Sequence, residues 1–181
     1  MSDLFEASGQ MPENQSSQPL AESLRPKVLQ HFIGQNQAEH KLQNILKNLK
    51  DKGFLPNLIL WGPPGTGKTT WARLIGQVSH SEFLQVNAIE TGAKEIREIG
   101  LKAHRSRIEL QRKTILFIDE IHRLNRGQQD VLLPFTEKGD IYLIGATTEN
   151  PSYELNSALL SRCQVIVFER LTRENLRQIM S

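Results

Sequence analysis

The chain has 181 residues, with 22 Lys and Arg against 20 Asp and Glu. This length allows one domain with a sizeable core, and a net charge of +2 means that any nucleic-acid surface must be a local basic patch. No apolar run approaches the roughly 20 residues that span a bilayer, and no signal-peptide pattern opens the chain. A single cysteine, Cys163, excludes an internal disulfide and fits a reducing compartment. We expect a cytoplasmic protein with no membrane partner.

Residues 1–19 are rich in Ser, Gln, Glu, Gly and Pro, a composition that predicts a disordered tail. Leu4 and Phe5 are two large apolar residues inside this polar segment. They stand there either by chance or as a short anchor for the hydrophobic groove of a partner. From Leu20 the composition becomes that of a globular chain, and we predict a nucleotide-binding core over residues 20–171.

The first helix of this core is predicted from a single apolar stripe. Gly53 follows the stripe and is a plausible cap for the end of the helix. The stripe consists of Ala38, Leu42, Ile45, Leu46 and Leu49, which fall at helical spacing.

Five short apolar runs then alternate with helical patterns. Most of the runs lack alternation of period two, which is typical of strands buried on both faces. The alternation predicts an α/β fold, with a five-stranded parallel sheet sandwiched by helices. The predicted strands are 58–61, 83–86, 115–118, 141–144 and 165–168, and the predicted helices between them are 68–79, 94–111, 127–138 and 153–160.

A glycine-rich segment follows the first predicted strand and opens a helix, and it matches G-x-x-x-x-G-K-[ST]. Its glycines let backbone N–H groups turn toward a phosphate chain, and the helix N-terminus adds its dipole. Lys68 is suited to the β- and γ-phosphates and Thr69 to magnesium. The pattern predicts ATP with Mg²⁺. The nucleotide-binding residues of this segment are predicted to be Gly62, Pro63, Pro64, Gly65, Thr66, Gly67, Lys68, Thr69 and Thr70.

Two carboxylates follow the third predicted strand, about 50 residues after the phosphate loop. The carboxyl ends of parallel strands share one edge of a sheet, so Asp119 and Glu120 are expected beside the loop. We predict that Asp119 holds the metal, directly or through water, and that Glu120 is the general base for the attacking water. Alone, such a strand end is common; together with the loop it indicates a nucleotide hydrolase.

Three further polar residues have two interpretations each. Thr148 follows the fourth strand and either contacts the γ-phosphate or forms a turn. Arg162 precedes the last strand and either reaches a neighbouring subunit's ATP in a ring or is a solvated surface residue. Asn87 either holds Glu120 by a hydrogen bond or forms a turn.

The predicted helix 94–111 carries basic residues around an apolar stripe. It is either a contact surface for a nucleic-acid backbone or a solvated amphipathic face. His122 has no second ligand at metal-binding spacing, so we expect a packing or hydrogen-bonding role. The basic residues are Lys94, Arg97, Lys102, Arg105, Arg107 and Arg112, and the stripe is Ile96, Ile99, Ala103 and Leu110.

In their order and spacing, these motifs resemble the AAA+ ATPases of the clamp-loader and branch-migration group, a class of P-loop NTPases. Residues 24–26 and 32–35 are similar to that group's adenine-cradling segment, which implies that Ile33 and Gly34 contact the nucleotide. The run 144–162, IGATTENPSYELNSALLSR, resembles more specifically the replication-associated recombination protein A family, which includes the Werner-helicase-interacting ATPases.

The resemblance implies ATP hydrolysis coupled to DNA remodelling in replication-fork maintenance and recombination. The implied partners are DNA forks, gaps or single-stranded ends, further copies of the chain, and single-strand-binding protein, in a bacterial nucleoid. It also implies Thr148 as a γ-phosphate sensor, Arg162 as an arginine finger and Asn87 as a switch for Glu120. Residues 2–5 are similar to peptides that bind the sliding clamp, without their leading Gln.

Two alternatives and one departure accompany the resemblance. A Holliday-junction branch-migration motor fits many of the motifs, although that family has an insert, absent from this chain, between the strand carrying Asp119 and the strand ending in residues 145–148. A nucleotide-dependent binding module without turnover also fits. Members of the resembled family continue past Ser181 into a helical lid and an oligomerisation domain, so residues 172–181 are predicted to start a truncated lid helix. We expect these 181 residues alone to bind ATP weakly and to hydrolyse little of it.

Overall fold

The computed structural model describes residues 35–180. The predictions for the tail (1–19), for Leu4 and Phe5, and for Ile33 and Gly34 lie outside the described residues. Within residues 35–180, no helix is long and apolar enough to cross a membrane.

Strands and helices alternate along the described chain, as the sequence predicts. The strands are β1 (Asn57–Trp61), β2 (Glu82–Asn87), β3 (Thr114–Asp119), β4 (Ile141–Thr147) and β5 (Cys163–Val167). The helices are α1 (Asn36–Lys52), α2 (Lys68–Val78), α3 (Ala93–Leu110), α4 (Arg126–Glu137), α5 (Pro151–Glu154), α6 (Ser157–Leu160) and α7 (Arg173–Met180), and a 3₁₀ turn (Ile121–Arg123) follows β3.

The five strands form one parallel sheet in the order β2-β3-β4-β1-β5. The three inner strands are buried along most of their length, whereas the edge strands β2 and β5 are partly exposed. This difference explains why the inner strands read as continuous apolar runs. The predicted fold class, a five-stranded parallel sheet between helices, is confirmed.

Helices cover both faces of the sheet. Alternate residues of β1 face opposite sides, since Leu58 and Leu60 pack in the cluster containing α1 and α2, while Ile59 packs in the cluster containing α3 and α4. The predicted stripe of the first helix is confirmed as well. Its members Ala38, Leu42, Ile45, Leu46 and Leu49 are all buried.

The prediction of one helix over 153–160 is wrong, because two short helices occupy this segment. Leu155 adopts an extended conformation between them, with ψ of 144°. The Asn156 side chain caps α6 by accepting a hydrogen bond from Leu159 N at 2.7 Å. Asn satisfies the free N–H groups of a helix start better than it continues a helix, so the chain restarts at this residue.

The apolar stripe predicted for α3 is correct at Ile96 and Ala103, which are buried, and wrong at Leu110, which is 67% exposed. Helix α3 has 18 residues, whereas the helix α4 that packs on it has 12. Leu110, the last residue of the longer helix, therefore lies beyond the contact with α4, and Gln111 ends the helix in the left-handed conformation.

Candidate functional site

The segment 62–69 joins β1 to α2 as a tight loop. Gly62 N donates to Thr147 O at 3.1 Å, and a Cβ on Gly62 would lie 2.3 Å from Phe168 O, so only glycine fits there. Gly67 has a φ of 92° and stands at the N-cap of α2, a conformation that glycine adopts without strain. The loop thus delivers the N-terminus of α2, with its unpaired N–H groups, to the carboxyl edge of the sheet.

Lys68 is the first residue of α2 and only 9% exposed. Its Nζ donates to Gly62 O and to Pro63 O, both at 2.7 Å. Burial lowers the pKa of Lys68, and the negative charges of Glu120 and Asp119 partly offset this effect. The ammonium is therefore held inside its own loop, within electrostatic reach of both carboxylates.

The acidic pair occupies the same edge of the sheet as the loop. Strand β3 ends at Asp119, and only β4 separates β3 from β1, so the two strand ends lie about 10 Å apart. Glu120 has φ 53° and ψ 42°, a left-handed conformation that is uncommon for a residue with a side chain. Its N–H donates to Asp119 Oδ1 at 3.1 Å. The structure therefore brings Lys68, Asp119 and Glu120 together.

The side chains at this edge fit a magnesium ion. Thr69 in the first turn of α2 offers a hydroxyl, and Asp119 offers a carboxylate. Mg²⁺ prefers such hard oxygen ligands and takes most of its others from phosphates and water. Among residues 35–180, no group of three or more His, Cys, Asp or Glu side chains is arranged to hold a metal, so a site here would rely on the substrate for ligands.

His122 makes two contacts that the sequence did not specify. Its Nε2 lies 3.3 Å from Glu120 Oε2, and its Nδ1 lies 3.0 Å from Thr147 Oγ1. The prediction of a hydrogen-bonding histidine is confirmed, but Thr147 was missed as its partner. The signal was weak, since a threonine at a strand end is common and nothing local indicates which side chain it meets.

Thr148 directly follows β4 and is half-buried. The neighbouring Thr147 side chain accepts a hydrogen bond from Glu149 N at 3.0 Å and lies 3.1 Å from Glu149 O. It therefore bonds the backbone on the other side of Thr148. Asn87 Oδ1 accepts from Ile89 N at 2.9 Å, which is the turn-forming alternative. Its proposed contact with Glu120 does not occur among the hydrogen bonds of the described residues.

Arg162 lies at the amino edge of the sheet, where the strands begin. The phosphate loop lies at the carboxyl edge, where the strands end. Arg162 precedes β5, whose first residue Cys163 pairs with Asn57 at the start of β1, whereas the phosphate loop follows the end of β1. The five residues of β1 separate these two positions by about 17 Å. Arg162 Nη2 lies 2.5 Å from Glu137 Oε1, and its Nη1 donates to Ala158 O at 2.6 Å. The structure does not bring Arg162 to its own chain's loop.

Several basic residues of α3 are engaged within the chain. Lys94 is 4.0 Å from Glu98, and Lys102 is 3.1 Å from Glu82. Arg107 Nε donates to Asp140 at 2.7 Å. The Asp140 side chain is 1% exposed, so this pair ties α3 to the loop before β4. At these three positions the contacts within the chain favour the alternative of a solvated amphipathic face.

Gln35 lies beside the phosphate loop. Its Nε2 donates to Glu169 O at 2.7 Å and its Oε1 accepts from Glu169 N at 3.1 Å. Glu169 follows Phe168, whose N–H donates to Trp61 O at 2.7 Å at the end of β1. The start of α1 is therefore fixed at the carboxyl edge, next to the loop.

A phosphate loop and an acidic strand end at one edge of a parallel sheet define a nucleotide-binding domain of the P-loop class. Residues 58–171 match the family model described as "ATPase family associated with various cellular activities (AAA)". The chain belongs to this AAA family, and it is similar in sequence to replication-associated recombination protein A and ATPase WRNIP1.

The relatives are similar over nearly the whole chain. Identity to "ATPase WRNIP1" of Dictyostelium discoideum is 51% over 170 residues, which cover 93% of this chain and 19% of that protein. Identity to "Replication-associated recombination protein A" of Escherichia coli (strain K12) is 47% over 166 residues, which cover 91% of this chain and 36% of that protein. The chain thus spans about a third or less of the length of these relatives.

Among solved structures, the RuvB Holliday junction branch migration motor of Thermotoga maritima is similar to this chain. Its TM-score is 0.71 at 33% identity, over 87% of this chain and 52% of that one. This likeness supports the same AAA+ type of fold.

Proposed function

We propose that this chain is the ATP-binding and ATP-hydrolysing core of a motor that remodels DNA in replication-fork maintenance and recombination. The observation that carries the proposal is the convergence of Lys68, Asp119 and Glu120 at one edge of the sheet. Residues 20–171 form this core, preceded by the tail 1–19. Residues 172–181, which contain α7, start the lid.

The proposed reaction is attack of water on the γ-phosphorus of ATP. The water oxygen forms a bond to phosphorus, the bond to the β–γ bridging oxygen breaks, and ADP leaves with that electron pair. Glu120 takes the proton of the water. Lys68 and Thr148 contact the γ-phosphate, and Lys68 stabilises its negative charge.

The metal and the base of the nucleotide have their own residues. Thr69 and Asp119 hold Mg²⁺, which neutralises phosphate charge when bound. Ile33 and Gly34 contact the adenine, supported by the position of the adjoining Gln35 beside the loop. The backbone of residues 62–67, with Thr70 in α2, surrounds the phosphates.

The proposed partners follow from the family and from the two edges of the sheet. Because Arg162 lies about 17 Å from its own loop, it acts on the ATP of a neighbouring copy, which requires a homo-oligomer. DNA forks, gaps or single-stranded ends are the proposed substrates, with single-strand-binding protein and the sliding clamp as protein partners. The proposed location is the cytoplasm, at the bacterial nucleoid.

A branch-migration motor is the second candidate function. The likeness to RuvB favours it, at 33% identity. The identities of 47% and 51% to the recombination protein A and WRNIP1 relatives favour the first candidate. Turnover and product analysis with Holliday junctions and with forked DNA separate the two.

The decisive experiment measures ATP binding and phosphate release by the full-length protein with duplex, single-stranded and forked DNA. Glu120→Gln is expected to lower turnover about 10²–10⁴-fold, as loss of a general base does, while ATP binding persists. Lys68→Ala is expected to lose both turnover and ATP binding. The exposed Lys47 provides the matched control, Lys47→Ala, which should leave both unchanged.

The outcomes separate the alternatives clearly. ATP binding without turnover in the wild-type protein, with and without every DNA, would establish the binding module instead. No association with ATP would refute both. Retained turnover in Glu120→Gln would remove Glu120 as the base.

A further inference from the structure

The imidazole of His122 bridges the end of β3 and the end of β4. It lies 3.3 Å from Glu120 Oε2 through Nε2 and 3.0 Å from Thr147 Oγ1 through Nδ1. The His122 side chain is 6% exposed, whereas the Glu120 side chain is 37% exposed. A nearly buried ring therefore contacts a carboxylate that remains open to solvent on its other side.

The hydrogen-bonding capacity of the three groups limits where the proton of the ring can be. A carboxylate only accepts, so Nε2 of His122, 3.3 Å from Glu120 Oε2, bonds Glu120 only when Nε2 carries a proton. Thr147 Oγ1 already accepts from Glu149 N. It donates its own proton either to Nδ1 of a neutral ring or to Glu149 O at 3.1 Å. In the first arrangement the proton of the ring is on Nε2 and is directed at the Glu120 carboxylate.

The residues beside His122 are tightly packed, which restricts movement of the backbone that carries the ring. Ile121 is fully buried and fills the space over Gly145, where an added Cβ would lie 2.6 Å from Ile121 Cδ1. Arg123 N also donates to Glu120 O at 2.8 Å and closes the 3₁₀ turn. The ring thus extends from a segment that is fixed to the sheet.

The same chain of contacts reaches the segment that carries Thr148. Thr147 bonds the backbone of Glu149 on the far side of Thr148. His122 therefore connects the proposed base with the proposed γ-phosphate sensor, although it belongs to neither motif.

We propose that His122 is a positioning residue for ATP hydrolysis. Its Nε2–H holds the Glu120 carboxylate in the orientation that receives the proton of the attacking water, and its Nδ1 anchors the ring on Thr147. The inference rests on the proposed role of Glu120 as general base. Because the contact bears on the base and not on the loop around Lys68, its loss affects turnover more than ATP binding.

Two substitutions separate the two ring contacts. In His122→Gln, the amide nitrogen stands near the place of Nε2 and can still donate to Glu120. In His122→Asn, the shorter amide stands near the place of Nδ1 and keeps only the Thr147 contact. We expect kcat of the full-length protein to fall about 10²-fold in His122→Asn, the size typical of misplacing a reacting group by about 1 Å. His122→Gln should recover about tenfold of that loss.

Controls distinguish positioning from a general effect on the fold. KM and the Kd for ATP are expected to stay within about threefold of wild type in both variants, since uniform binding is untouched. The exposed His40 on α1 gives the matched pair His40→Asn and His40→Gln, which should leave kcat unchanged. Equal kcat in wild type, His122→Asn and His122→Gln would overturn the proposal, as would equal losses in the two His122 variants.

A spectroscopic measurement tests the bridge without turnover. In full-length protein labelled with ¹⁵N-histidine, His122 should show a protonated Nε2 whose hydrogen exchanges slowly with solvent. Glu120→Ala should speed that exchange. A ring protonated only at Nδ1 would overturn the proposal. Absent turnover in the wild-type protein would instead refute the proposed function, while this spectrum still decides whether His122 holds Glu120.

Discussion

At the carboxyl edge of the sheet, Lys68 lies between the carbonyls of its own loop and the charges of Asp119 and Glu120. At the amino edge, Arg162 pairs with Glu137 at 2.5 Å and lies about 17 Å from that loop. The first edge gathers opposite charges from two separated segments of one chain. The second edge holds the cation of Arg162, and among the described residues its carboxylate partner is Glu137 of the same chain, which belongs to neither nucleotide motif.

The difference shows which parts of the proposed site one chain can assemble. Strand order brings the phosphate loop and the acidic pair together, because β1 and β3 flank β4 and point the same way. The same parallel arrangement keeps any residue that precedes β5 at the far edge. An arginine finger at this position therefore serves another copy or none.

The largest expected effect tests this division directly. Arg162→Ala in the full-length protein should lower turnover about 10³–10⁵-fold, as removal of an arginine finger does, and leave ATP binding in place. The measurement is phosphate release together with equilibrium binding of a fluorescent ATP analogue.

Mixed oligomers provide the control for Arg162. A subunit carrying Arg162→Ala retains its own Glu120, and a neighbour carrying Glu120→Gln retains its own Arg162. Co-expressed subunits of the two kinds should therefore regain turnover that neither kind has alone. No recovery in purified mixed oligomers would contradict action on a neighbouring copy.

The reactivity of Cys163 tests how well the start of β5, at the amino edge of the sheet, is protected from solvent. Burial raises the pKa of its thiol to about 12, so at pH 8 the reactive thiolate is on the order of 10⁻⁴ of the population, against about a quarter for an ordinary thiol. Alkylation of the native protein by iodoacetamide should be about 10³-fold slower than that of the protein unfolded in urea. Equal rates would mean that β5 opens readily at its first residue.

Much of the carboxyl edge could be predicted from local sequence. The loop 62–69 and the Asp119–Glu120 strand end are recognisable because each motif carries its own geometry, and the alternation of strands and helices fixes their common edge. The contact of His122 with Thr147 could not be predicted, since it joins residues 25 positions apart through side chains alone. The exposure of Leu110 depends on the length of a different helix, which its own periodicity does not reveal.

The short segment after β4 shows a second limit. The pattern of apolar residues favours one helix over 153–160, whereas Asn156 starts a new helix with its side chain. Capping competes with continuation at a single residue, and the buried Gln129 side chain, which accepts from Asn156 N at 2.7 Å, favours the break. Gln129 belongs to another helix, so the local pattern of apolar residues does not predict this contact.

Gly145 tests how far the sheet itself positions the acidic end. Gly145→Ala places a Cβ 2.6 Å from Ile121 Cδ1 and 3.0 Å from Ile59 Cδ1, and overpacking of this kind costs about 1–3 kcal/mol. We expect a lower free energy of unfolding by that amount in urea denaturation. Turnover should also fall, because the 3₁₀ turn next to Glu120 must move.

Gly92 supplies the matched control for Gly145. A Cβ there meets nothing within 4 Å, and its φ of −83° and ψ of 163° suit any residue. Gly92 is the N-cap of α3, where Ala is a poorer cap than Gly, so Gly92→Ala should lower stability by about 1 kcal/mol at most and leave turnover nearly unchanged. A neutral Gly145→Ala would mean that Ile121 repacks freely and that the turn is not fixed by the sheet.

The smallest expected effect concerns the partner of Arg162. Glu137 and Arg162 have side chains that are 47% and 40% exposed, and pairs of this exposure contribute about 0–1 kcal/mol. Glu137→Gln should therefore change the free energy of unfolding by less than about 1 kcal/mol. Turnover should stay within about twofold of wild type, because Arg162 keeps its hydrogen bond to Ala158 O at 2.6 Å and its charge. A loss of turnover as large as that of Arg162→Ala would contradict the division between the two edges, since it would show that Arg162 matters through its pair with Glu137 inside one chain.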